Sequence, residues 1–160
     1  MEFEKALKCF EDIPFFDNFN REEKRFLASM DCNMVHFKNA ETILREGGVD
    51  DSFYILLKGT VNVTRSNYNE DGTRRSRRKT PTVKLSKLKP GILFGQLSFI
   101  ENRPRLTTIT AEGSVSVLKM GGKALEPLNP RLLNKIKNRI IELLLKRLDD
   151  MNEQLLKVVR

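Results

Sequence analysis

Between two helical stretches the chain changes its hydrophobic period. Eight short runs rich in β-branched and aromatic residues follow one another: Met34–Phe37, Thr42–Leu44, Phe53–Leu57, Thr60–Thr64, Thr82–Leu85, Leu93–Phe94, Leu106–Ala111 and Ser114–Lys119. Turn-forming residues separate them, among them Lys38-Asn39-Ala40, Gly47-Gly48-Val49-Asp50-Asp51 and Lys58-Gly59. Short strands at near-regular spacing predict a β-barrel or sandwich.

Helical spacing frames this middle. Phe3, Ala6, Leu7 and Phe10 recur on one helix face until Pro14 breaks the pattern, and Phe15–Phe19 forms an aromatic turn. Asn20 followed by Glu23 reads as a helix N-cap, with Phe26, Leu27 and Met30 as the apolar stripe. Two short helices are therefore expected up to about residue 31. At the other end Leu133, Ile136, Ile140, Leu144, Leu148, Met151, Leu155 and Val158 form one stripe. It covers about 26 residues, roughly 39 Å of helix, more than one small barrel covers. From Leu144 its steps of 4, 3, 4 and 3 approach a heptad. That predicts a parallel homodimer through this helix, or a helix that feeds a partner. One domain is expected: N-terminal helices over 1–32, a barrel over 33–122 and a C-terminal helix over 123–160.

Charge bears on partners. The 160 residues carry 29 Lys+Arg and 21 Asp+Glu, a net charge of +8. Five of the positive charges fall in Arg74, Arg75, Arg77, Arg78 and Lys79, inside an aperiodic loop at 66–81. Like charges in such a run repel, so a solvated, mobile hairpin loop is expected, and a contact with an acidic protein partner or a membrane surface is the alternative. No Trp and only two Tyr weaken any single-stranded nucleic-acid reading.

Other classes are excluded on simpler grounds. No run of about 18 apolar residues exists, so no transmembrane segment is expected, and Met1–Lys5 does not open a signal peptide. Cys9 and Cys32 are the only cysteines, and two buried free thiols in a reducing, cytoplasmic setting are expected over a disulfide. His36 is the single histidine, flanked by Val35 and Phe37. It is read as a packed or edge-of-core residue, so no metal site, no triad and no enzyme are expected.

The segment Phe94–Ile109 carries the chemistry. A strand ends at Phe94, and Gly95 permits a tight turn or close backbone approach. Gln96–Ile100 can form one helical turn whose first amides are unpaired and electropositive. Pro104 fixes the backbone before Arg105, whose fork can pair with two phosphate oxygens. Arg105 could instead be a structural residue paired with a nearby acid such as Glu101.

This segment resembles the phosphate-binding cassette of the cyclic nucleotide-binding domain family, whose pattern is Phe-Gly-Glu-Leu-Ala followed by Pro-Arg-Ala-Ala-Thr-Val. The resemblance extends over nearly the whole chain, through Ile13–Phe16, the Asn20–Met30 helix, Glu46–Gly48, Asp51–Val61 and Pro90-Gly91. It implies a mainly β fold with flanking helices: an eight-stranded jelly-roll barrel whose C-terminal helix, from about Arg131, acts as a lid. It also implies ligand contacts at Phe94, Gly95, Gln96, Leu97, Ser98, Arg105, Leu106 and Thr107. Arg105 would hold a cyclic phosphate and the amides around Gln96–Ser98 would assist.

Two departures stand inside that pattern. Gln96 replaces the acid that accepts the ribose hydroxyl, which removes the charge-assisted part of that bond and makes the site more positive by one. Leu106 replaces a small residue, with no hydroxyl to read guanine and an isobutyl group that can crowd the phosphate. Implied ligands are cyclic AMP, cyclic GMP or a more anionic cyclic dinucleotide, with no other cofactor. The function expected is a regulatory sensor that relays ligand binding through its last helix, and the alternative is a protein-interaction scaffold without such a ligand. No recognition helix follows the long helix, so specific DNA binding is not expected.

Overall fold

The computed structural model describes residues 2–30, 33–121, 125, 126 and 128–159. The chain divides into two compact units, Met1–Ala124 and Leu125–Arg160.

The first unit opens with α1 (Glu2–Asp12), a 3-10 turn at Pro14–Phe16 and α2 (Arg21–Ser29). Asn20 caps α2 as its spacing predicts, the side-chain oxygen accepting from the Glu23 amide at 2.8 Å. Such a cap contributes about 1 kcal/mol. Phe10, Phe15, Phe16 and Phe19 are buried together, and Phe16 meets the other three edge to face, Phe10 at 4.4 Å between ring centroids. Each ring removed from water contributes about 1.5–3 kcal/mol. The cluster continues through Phe15 to Phe53, and from Phe53 to Phe99 at 4.9 Å. An aromatic chain thus connects the N-terminal helices to the segment after Gly95.

Six strands follow among the described residues: β1 (Asn33–Phe37), β2 (Thr42–Leu44), β3 (Phe53–Ser66), β4 (Thr82–Leu88), β5 (Leu93–Phe94) and β6 (Thr108–Met120). A short helix, α3 (Gln96–Glu101), sits between β5 and β6. All pairings are antiparallel, in the order β1-β6-β3-β4, with β2 also on β6 and β5 also on β3. The interior is lined by Leu44, Tyr54, Leu56, Val61, Val63, Phe94, Ile109, Ala111, Val115 and Val117.

Where eight strands were expected, six stand among the described residues, because two pairs of the expected runs are continuous. Lys58-Gly59 does not turn the chain. It is a bulge inside β3, where the register against β6 shifts at Lys58. Gly59 has φ +93°, and a Cβ there would collide with the Ser114 carbonyl. The glycine marks a close approach of two long strands, which from sequence reads as a turn. Gly113, also at positive φ, similarly leaves β6 unbroken. Leu106 and Thr107 precede β6 and do not belong to it.

His36 is exposed on β1, its Nδ1 2.7 Å from the Ser116 hydroxyl, so of the two readings, packed or at the edge of the core, the packed one does not hold. The Cys9 thiol is free and its pKa is raised, first by burial and then by Asp12; Cys32 lies outside the described residues.

The second unit is dominated by α4 (Pro130–Val159). Asn129 caps it, accepting from the Leu132 amide at 2.8 Å. Leu132, Ile136 and Ile140 are buried; Leu133, predicted on that stripe, is only half-buried. Ile141, Leu148, Met151, Leu155 and Val158 are exposed. No helix among the described residues is long and apolar enough to cross a membrane.

Candidate functional site

The cassette begins where β5 ends. Phe94 points into the barrel and stacks on Tyr54 with centroids 5.2 Å apart and planes 6° from parallel. Gly95 then adopts φ +77°, ψ +5°, the left-handed conformation that turns the backbone into α3. No side chain caps this helix and no acid lies in its first turn. Gln96 and Ser98 are buried, whereas Leu97 is 40% exposed. After α3, Asn102 is again left-handed, Arg103 pairs with Glu101 at 2.9 Å, and the chain reaches Arg105.

Arg105 is 5% exposed. Its backbone is clamped by the Gly47-Gly48 turn: the Gly47 amide donates to its carbonyl at 2.8 Å, and its own amide donates to Gly48 at 2.9 Å. Its guanidinium donates to the Gly95 carbonyl at 2.6 Å and the Ser52 carbonyl at 2.5 Å, and lies 3.4 Å from Asp50 Oδ2. The nearby acid is therefore Asp50, while Glu101, the example offered for a structural pairing, is held by Arg103. Arg105 Nε has no hydrogen-bond partner although it is buried. A buried charged donor without an acceptor is costly, so this edge of the fork suits an anionic or carbonyl oxygen.

Gly95 and Arg105 are fitted to each other. A Cβ at Gly95 would lie 2.8 Å from the Arg105 guanidinium and 3.3 Å from the Ser52 carbonyl. Leu106 is 39% exposed, and Thr107 is half-buried. Thr108 accepts from the Glu46 amide at 3.0 Å.

Three residues of this cluster were not singled out from sequence as site residues: Asp50, Tyr54 and Lys119. Burial opposes the Asp50 carboxylate, but hydrogen bonds from Ser52 and the charges of Lys119 and Arg105 outweigh it and hold its pKa below the usual carboxylate value. Tyr54 donates toward Asp50 at 3.4 Å; burial first and the Asp50 charge second push its phenol up to about 12. The Lys119 ammonium lies 5.9 Å from the Tyr54 ring centre. The turn Gly47–Asp51 was the available signal, because an acid-rich loop facing a lone buried arginine has to supply its counter-charge.

The basic loop between β3 and β4 is exposed over 68–80, as a solvated run should be, and is also hydrogen-bonded to itself around Asn67. Asn67, 1% exposed, donates to the Arg78 and Thr80 carbonyls at 2.7 and 3.0 Å and accepts from the Ser76 hydroxyl at 2.6 Å. Arg74 is 5.6 Å from the Tyr68 ring centre. Arg75 turns inward to Asn69 and forms an ion pair with Glu46 at 3.5 Å, while Glu46 also accepts from the Ser66 amide at 2.7 Å. Arg77, Arg78 and Lys79 are exposed.

A family model for the cyclic nucleotide-binding domain matches residues 34–128. The chain is 27% identical over 114 residues to a cAMP-dependent protein kinase regulatory subunit of Blastocladiella emersonii, covering 71% of this chain and 26% of the relative. Against the corresponding subunit of Dictyostelium discoideum the figures are 29% over 110 residues, 69% and 31%. The chain therefore spans about a quarter to a third of these curated relatives. A crystal structure of a cyclic nucleotide-binding domain from Methylobacillus flagellatus superposes with a TM-score of 0.74 at 26% identity, covering 96% of this chain and 82% of that one. The antiparallel barrel, its flanking helices and the matched segment agree: this chain belongs to the cyclic nucleotide-binding domain family, whose members are ligand-binding modules and not catalysts.

Proposed function

We propose that the barrel is a regulatory sensor that binds a cyclic nucleotide, or a related phosphate-bearing nucleotide, at the cassette. The observation that carries this is Arg105, a buried guanidinium with an unpartnered Nε beside the uncapped start of α3. Gly95, Gln96, Leu97 and Ser98 would supply backbone donors, Leu106 and Thr107 would border the ligand, and Phe94 would support the turn from inside the barrel. Both units would act as one domain in the cytoplasm, and α4 would relay the bound state to a partner such as a kinase catalytic subunit. From Ile141 the positions Ile141, Leu144, Leu148, Met151, Leu155 and Val158 step by 3, 4, 3, 4 and 3, the repeat of a two-stranded coiled coil, which supports a homodimer through α4. The exposed Arg77, Arg78 and Lys79 would meet an acidic protein.

Calorimetric titration with cyclic AMP, cyclic GMP and a cyclic dinucleotide tests the main reading. Binding is expected for at least one, and Arg105→Ala should weaken it at least tenfold while circular dichroism reports an intact barrel. No heat with any of them removes this reading. The second reading, a scaffold without a nucleotide, is favoured by Arg105 already being held by two carbonyls and Asp50. Truncation after Leu144 discriminates, because a scaffold loses its partner in a pull-down while a sensor keeps its ligand.

A further inference from the structure

The strand β4 lies at the end of the sheet order, paired with β3, and no strand among the described residues lies on its other side. In an antiparallel ladder every second residue of an end strand directs its N–H and C=O outward, so β4 presents a row of backbone donors and acceptors. Five of its seven residues, Thr82, Lys84, Leu85, Ser86 and Lys87, are exposed. Its only charges are positive, and Arg77, Arg78 and Lys79 stand just ahead of it. Lys87 already holds one carboxylate, Glu112, at 3.1 Å on the exposed face.

Edge lysines protect a sheet from pairing with its own kind, since a second copy of β4 would bring Lys84 and Lys87 against like charges. The same lysines favour an acidic strand, because opposite charges across a strand pair attract. The bulge at Leu85 is itself an edge protection, but protection does not call for an apolar side chain there. It is 52% exposed, and the register steps from Val63↔Ser86 to Thr64↔Lys84, so Leu85 has no partner on β3. An unpaired, exposed apolar side chain within a cationic edge is a contact for an incoming chain. The knitted loop adds preorganisation, because Asn67 fixes the Arg78 and Thr80 carbonyls and so the approach to β4.

We propose that β4 is a docking edge for an extended acidic peptide segment, which adds a strand beside Thr82–Leu88, sets carboxylates against Lys84 and Lys87, and covers Leu85. This rests on the acidic-partner reading of the basic loop only for the sign of the partner's charge. It is independent of the nucleotide site.

The test uses a seven-residue blocked peptide of alternating glutamate and valine, with amide hydrogen exchange followed by NMR on the full chain. Saturating peptide is expected to slow exchange at outward-facing amides of Thr82–Leu88 at least tenfold, and Lys84→Glu should weaken binding by a similar factor. A peptide N-methylated at alternate residues keeps its charge and side chains but loses one row of donors, and should not protect β4. Equal protection by the N-methylated peptide, protection confined to the loop, or tighter binding of a short DNA duplex or phosphatidylserine vesicles each overturns the proposal. An Arg77→Ala, Arg78→Ala double variant separates the readings: unchanged peptide affinity ends the role of the loop and leaves the edge, while loss of peptide binding in Lys84→Glu alone places the contact on β4. Nucleotide titration of the same variants should be unaffected.

Discussion

Gly95→Ala tests how the cassette is built. The residue has φ +77°, where an L side chain costs about 1–2 kcal/mol. The new Cβ would also sit 2.8 Å from the Arg105 guanidinium, with Leu44 and the Ser52 carbonyl at 3.3 Å on other sides. Arg105 would have to withdraw from the Gly95 carbonyl, where it donates at 2.6 Å. A hydrogen bond from a charged group is worth about 1.5–3 kcal/mol. The sum is about 2.5–5 kcal/mol, a fall of about 1–2.5 M in urea midpoint at a slope of about 2 kcal/mol/M. A double-mutant cycle with Arg105→Ala separates the two causes. With the guanidinium gone, Gly95→Ala should cost only the backbone strain, leaving a coupling of about 1.5 kcal/mol or more. A coupling below about 0.5 kcal/mol would show that Gly95 serves the turn alone and that Arg105 is not fitted to it.

Two further substitutions address the charge cluster and the loop. Asp50 has a lowered pKa, so its contribution to stability is full well above the ordinary carboxylate value, near 3.9, and is lost as pH falls through its lower folded value. Asp50→Asn should therefore flatten the acid limb of a urea-midpoint profile between about pH 5 and 3, by less than about 1 kcal/mol because the side chain is 39% exposed; an unchanged acid limb contradicts the pairing. Asn67→Ala removes three hydrogen bonds from one buried side chain and should cost about 1–3 kcal/mol. Limited trypsin digestion should cut after Arg74–Lys79 at least tenfold faster, and an unchanged rate would show that the Asn67 bonds do not hold the loop.

What could be read from the sequence was local. The Asn20–Glu23 cap, the Phe94-Gly95 turn and the long apolar stripe each depend on residues a few positions apart. What could not be read was set by distant backbone. Arg105 is held by the carbonyl of Ser52, 53 positions away, and a carbonyl carries no residue signature. Gly59 resembles a turn glycine because close approach to a neighbouring strand and reversal of the chain require the same positive φ. Asn67 sits in a polar, basic stretch where composition predicts solvation, yet it is among the most buried polar residues of the chain. Loop composition reports average polarity and is silent on a single side chain that satisfies three groups of its own loop.

The arrangement of Arg105 also bears on which ligand the cassette would favour. A phosphate with one negative charge at about 4 Å gains about 4 kcal/mol from a guanidinium at an effective dielectric of about 20. Displacing both carbonyls would forfeit two charged hydrogen bonds, about 3–6 kcal/mol, and the Asp50 attraction besides. The gain is no larger than that loss, so a singly charged phosphate would bind with least penalty through Nε, the guanidinium nitrogen that no protein oxygen holds. A second phosphate would add attraction without displacing a second carbonyl, and Gln96 in place of an acid removes one repulsion, while Asp50, 3.4 Å from the guanidinium, keeps another. Leu106, exposed and next in sequence to Arg105, would add apolar surface for a larger ligand. The neutral Gln96 and the apolar surface of Leu106 act toward a ligand more anionic or larger than a simple cyclic mononucleotide, and the Asp50 carboxylate sets the limit on how much further negative charge the site would accept.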